Sequence, residues 1–87
     1  MNNETLLEFP CEFPIKAMGR NTPEFHVLVR ELVEQYTGPL EEHRYQSSLS
    51  KNGRFVSITV TVTAQSQEQL DNIYRAITSH DDVLMAL

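Results

Sequence analysis

The sequence predicts one α+β domain in which strands and helices alternate as βαββαβ and fold into a four-stranded antiparallel sheet with two helices on one face. Three observations lead there. Within residues 54–64 apolar and polar side chains alternate from Val56 to Ala64, two amphipathic stretches begin with capping residues, and an Asn-Gly turn joins the middle strands. Strand–helix–strand crossovers are right-handed, and two of them interleave into the split, ferredoxin-like sandwich.

Each element has its own signal. Residues 1–12 read as an extended arm before a single domain at 13–87, with apolar Leu6, Leu7 and Phe9 and a Phe-Pro pair repeated at Phe13-Pro14. Proline holds the preceding residue extended. The first strand is expected over 13–20, with Pro14 tolerated near its start. Thr22-Pro23 then supplies an N-cap hydroxyl and a first-turn proline. Phe25, Leu28, Val29, Leu32 and Tyr36 recur at helical spacing, and Gly38-Pro39 ends that helix.

Residues 43–50 read as a polar edge strand, and Lys51-Asn52-Gly53 as a tight hairpin whose Asn-Gly pair accepts positive φ. In the third strand Val56, Ile58, Val60, Val62 and Ala64 share one face. Ser57, Thr59, Thr61 and Thr63 share the other, so one face is buried and one is wet. This strand should lie in the middle of the sheet. Ser66 to Gln69 forms a capping box, and Leu70, Ile73, Tyr74 and Ile77 give the second helix its apolar stripe. A last edge strand is expected over 82–87.

Composition removes several functional classes. The net charge is −5, and the seven basic residues are scattered, whereas nucleic-acid binders concentrate cations to meet phosphates. Base stacking on an open sheet needs aromatic side chains, but that face of the third strand offers hydroxyls, with Phe55 only at its start. Cys11 is the single cysteine, so paired-cysteine metal and redox motifs are missing. Glu12 beside it would disfavour a thiolate. His26, His43 and His80 are dispersed and form no metal-ligand spacing. The first residues lack the basic and apolar regions of a secretory signal, and no apolar run spans a bilayer. A cytoplasmic protein without metal or cofactor, and with no nucleic-acid or membrane partner, is the expectation.

One segment carries candidate chemistry. Met18 to Pro23 runs from the first strand into the first helix, where backbone N–H groups and the helix dipole attract anions. Gly19 would admit a close ligand, Arg20 would grip a carboxylate or phosphate, and Asn21 and Thr22 would add hydrogen bonds. Gly19, Arg20, Asn21 and Thr22 are therefore the candidate ligand-binding residues; capping alone also accounts for Thr22. Acylphosphatase-like enzymes of this fold place an arginine in the same loop, so a small acyl-phosphate hydrolase using Arg20 is the alternative. Their longer glycine-rich cradle is reduced here to Gly19. Residues 43–50 hold no asparagine, and Asn52 is explained by its turn.

Several stretches also resemble the YbeD-like family of short bacterial proteins of unknown function. They are Leu6-Leu-Glu-Phe-Pro10, Lys16-Ala-Met-Gly19, Ser48 to Gly53, Val56-Ser-Ile-Thr-Val60 and Leu84-Met-Ala-Leu87, in order along nearly the whole chain. The resemblance implies no catalytic residue. It implies a fold similar to ACT-like regulatory domains, whose effectors bind near the loop after the first strand, where Gly19 falls. Genes of the family often lie near that for the octanoyltransferase of lipoate metabolism. The resulting expectation is a non-catalytic regulatory or adaptor domain. It would bind a protein partner, or associate with itself through a sheet edge, or bind a small anionic metabolite, or both.

Overall fold

A computed structural model describes residues 7–87, so residues 1–6 of the expected arm lie outside the described residues. The elements are β1 (Cys11–Arg20), α1 (Pro23–Thr37), β2 (Tyr45–Leu49), β3 (Phe55–Ala64), α2 (Gln67–Thr78) and β4 (Met85–Ala86). A 3-10 turn, Glu42–Arg44, precedes β2. The strands lie in the order β2-β3-β1-β4 with every neighbour antiparallel, so β3 is central and β2 and β4 are the edges, as expected.

The pattern in β3 decides which face is covered. Val56, Ile58, Val60, Val62 and Ala64 are all buried, and β1 brings Ile15 and Ala17 opposite Val60 and Ile58. Onto this layer α1 sets Phe25, Val29 and Val33, and α2 sets Leu70, Ile73 and Ile77. Burying the larger of these side chains is worth about 1.5–3 kcal/mol each. Both helix starts are capped as their sequences require. Thr22 Oγ1 accepts from the Phe25 amide at 3.0 Å, and Ser66 Oγ from the Gln69 amide at 3.0 Å. The Gln69 side chain returns to the Gln65 amide, one residue before the cap.

Several boundaries differ from the sequence expectation, each for a local reason. Strand β1 starts at Cys11 because β3 extends to Ala64 and the register pairs those two residues; Cys11 is thus a half-buried strand residue and not part of the arm. Pro14 stands inside β1. It has the parity of Lys16, whose N–H points toward the β4 side, and β4 stops short of Pro14. Its missing donor therefore breaks no ladder bond. On α1 the buried face is Phe25, Val29 and Val33, and Tyr36 of the expected stripe is 40% exposed. In the hairpin only Gly53 has positive φ, at 75°. The Gly53 amide closes a turn onto the Ser50 carbonyl at 2.9 Å, and Asn52 accepts from the Arg54 amide at 3.1 Å. Strand β4 is shorter than 82–87, because a turn with Val83 N–H bonded to the His80 carbonyl (3.0 Å) holds the preceding residues.

Among the described residues, no helix covers the second face of the sheet. On it Arg44 bridges Glu12 and Thr63, and the Thr63 hydroxyl donates to Glu12 at 2.6 Å. Together Thr63 and Arg44 hold the Glu12 carboxyl below its ordinary pKa. This network occupies the end of the open face where β1 begins. The end where β1 finishes is the one left open.

Candidate functional site

The junction of β1 and α1 separates the four sequence-predicted residues. Gly19 is buried. A Cβ there would meet Phe25 ring carbons at 2.5 and 2.6 Å and the Asp82 carbonyl oxygen at 2.8 Å. Its missing side chain is filled by this chain's own Phe25 and the loop before β4. Asn21 ties the helix start to the hairpin: its backbone N–H donates to the Arg54 carbonyl at 2.9 Å, and its Nδ2 to the Gly53 carbonyl at 3.3 Å. Its Oδ1 meets His26 Nε2 at 3.2 Å. Thr22 is the cap. Arg20 and Thr22 line a cleft of about 200 Å³, whose remaining wall is Phe25, Asp81, Asp82 and Leu84. Asp81 and Asp82 thus bring two negative residues to this cleft, and like charge opposes a bound anion there.

Arg20 also faces another way. It alternates outward with Lys16 and Met18, and its guanidinium carbon sits 5.7 Å from the centre of the Phe55 ring, opposite in the register. A cation over a ring face is attracted by the ring's quadrupole, by roughly 0.5–1 kcal/mol at an exposed site. Met18 lies between Ser57 on β3 and Met85 on β4. Lys16 exchanges backbone hydrogen bonds with Leu87 at 2.9 and 2.8 Å. The result is an apolar strip across the open face, from Leu87 and Met85 through Met18 to Phe55. Met85 and Leu87 are more than half exposed, and Phe55 is about one-third exposed. Beside it a depression of about 210 Å³ is lined by Met18, Ser48, Leu49, Phe55 and Ser57 among others.

Sequence reasoning judged this face from β3 alone and found hydroxyls. The apolar strip arises from Met18, Met85 and Leu87, which the β1–β4 register brings to the same side. Alternation within Lys16-Ala-Met-Gly-Arg20 was the available signal, since it sets Met18 outward with the two cations.

A second cluster of charged groups lies where α1 meets β2. Arg30 stacks 3.9 Å from the Tyr45 ring centre and binds both Glu42 oxygens, at 3.0 and 3.1 Å. Tyr45 donates to Glu34 at 2.6 Å, which lowers the Glu34 pKa and, with burial, raises that of the phenol. Among the described residues, no three His, Cys, Asp or Glu side chains gather as a metal site. No helix among them is long and apolar enough to cross a membrane.

Comparison with known proteins places the chain. The profile of a family described as "Protein of unknown function (DUF493)" matches residues 4–87. The chain belongs to the DUF493 family. A UPF0250 protein of Paraburkholderia phytofirmans is 46% identical over 85 residues, covering 98% of this chain and 96% of that protein. One from Neisseria gonorrhoeae is 44% identical over 86 residues, covering 99% and 94%. These agree with the YbeD-like resemblance. The solution structure of protein HP0495 from H. pylori superposes with a TM-score of 0.78 at 21% identity, over 97% of this chain and 88% of that one. That likeness supports the ferredoxin-like fold.

Proposed function

We propose that this DUF493 chain is a non-catalytic adaptor or regulatory domain that docks a partner protein on the open face of its sheet. The observation that carries the reading is the exposed apolar strip of Phe55, Met18, Met85 and Leu87, gathered on one face by the strand register. Apolar side chains grouped on a surface and edged by polar ones mark protein contacts, and a sheet face that no helix among the described residues covers presents them on a rigid backbone. The anion cleft at the helix start is the weaker candidate. Asp81 and Asp82 line it, and Gly19 and Asn21 are already committed within the chain.

The test is a photo-reactive side chain placed at Ser57, in the middle of the open face, and at Glu31, on the exposed surface of α1, in cells that make the protein. Crosslinks at position 57 to one defined protein, identified by mass spectrometry and reproduced with the purified partner, are expected. Equal yields at both positions, or none at 57, would refute the reading; a crosslink to a second copy would make the face a dimer surface.

A further inference from the structure

Resting on the docking face proposed above, we infer that its occupant is an acidic, apolar segment of another protein. The segment's carboxylates meet Arg20 and Lys16, and one of its apolar side chains seats beside Met18 and Phe55. Charge complementarity selects this partner. The chain has twelve acidic and seven basic residues, yet this end of the open face runs against that balance. Its outward positions on β1, β4 and the residue after β4 are Lys16, Met18, Arg20, Met85 and Leu87, two cations with no carboxyl side chain. Glu12, the acidic outward residue of β1, stands at the strand's other end and is held there by Arg44 and Thr63.

The cations here are also available. Among the described residues, the ion pairs made by lysine and arginine side chains are those of Arg30 and Arg44. Exposed Lys51 and Arg54 in the adjoining hairpin add two positive charges near Phe55. Asp81 and Asp82 line the cleft on the helix side of Arg20, while the Phe55 ring holds the guanidinium over the open face. A carboxylate arriving from that face would find Arg20 biased toward it by the Phe55 ring, which trims the ordering cost of the contact.

Size and shape point the same way. The depression of about 210 Å³ beside Met18 and Phe55 is smaller than the ~300–1,000 Å³ of small-molecule sites. It suits one anchoring side chain, with charges at its rim setting orientation and encounter rate. A nucleic acid is disfavoured. Bases would need further aromatic platforms, and Phe55 is already faced by Arg20 with a row of Ser and Thr side chains beyond it.

The experiment selects a phage-displayed library of random peptides against the whole chain, then measures the enriched peptides in synthetic form. Enriched sequences should combine Asp or Glu with Leu, Phe or Met. Arg20→Glu and Lys16→Glu should each weaken them roughly tenfold, with binding also falling as salt rises. Arg75→Glu on α2 should leave it unchanged, and thermal melts check that all three variants fold. Peptides lacking acidic residues, or affinities indifferent to Arg20→Glu and Lys16→Glu, would overturn the inference and leave the docking face standing. Equal affinity for oligouridine RNA, or for a polyglutamate peptide without apolar residues, would overturn it as well, since any polyanion would then suffice. No enrichment overturns the inference, and joined with no crosslink at Ser57 it removes the docking reading too.

Discussion

Replacing Gly19 by alanine should destabilise the domain by about 2–3 kcal/mol, toward the upper end of overpacking costs. The new methyl would sit 2.5 and 2.6 Å from two Phe25 ring carbons and 2.8 Å from the Asp82 carbonyl oxygen. Contacts that short require something to move. Phe25 is only 3% exposed and is walled in by the core, and the third contact is backbone. Gly19 does not have positive φ, so alanine meets no conformational penalty of its own. It would even gain slightly by restricting the unfolded chain, which leaves sterics as the cause of any loss. For a domain of this size the midpoint should fall by roughly 10–20 °C. Urea and thermal melts at neutral pH read both quantities. Adding Phe25→Leu removes the two ring contacts, so the double variant should be more stable than the summed single effects by about 1 kcal/mol. Gly19→Ala within about 0.5 kcal/mol of the parent, the range of an ordinary surface change, would show that the glycine is not needed for packing. Its place at the loop would then call for another explanation, such as close approach of a ligand.

Three further outcomes follow from local geometry. Thr22→Ala removes the acceptor 3.0 Å from the Phe25 amide and should cost about 1 kcal/mol in urea, with Thr22→Asn recovering most of it; equal losses in both variants would reject the capping role. The Tyr45 hydroxyl, the Leu40 amide and Arg30 hold the Glu34 pKa below its ordinary value against the opposing effect of burial. Because the folded value is the lower one, this stabilisation is complete above the unfolded carboxylate's pKa of ~4.3. It is lost as pH falls through the folded value. Below pH ~4.3 the parent should therefore lose stability more steeply than Glu34→Gln, and superimposable acid-unfolding curves would reject this. Tyr45→Phe should cost about 1.5–2 kcal/mol at neutral pH, because it deletes a hydrogen bond to a carboxylate.

Local physics was enough to read the element order. The break-free alternation of Val56 to Ala64 required a half-buried strand, and Thr22-Pro23 and Ser66 marked helix starts because their hydroxyls satisfy amides within the next turn. Gly53 announced its turn for the same reason, as its positive φ is a property of one residue. These signals act over a few neighbouring residues, so they survive without knowledge of the rest of the chain. The surface proposed for docking has a different origin. Met18 and Met85 are 67 positions apart and meet only because β4 closes on β1 in one register, and a one-residue slip would turn Met85 to the other face. Arg20 read from its neighbours is an anion ligand at a helix start; in the fold it has Phe55 on one side and a cleft with Asp81 and Asp82 on the other. Gly19 likewise invites a ligand in the sequence and receives Phe25 in the structure. Strand and cap signals are short-range, whereas a binding face is a sum over strands, and only the tertiary pairing determines which side chains are added together.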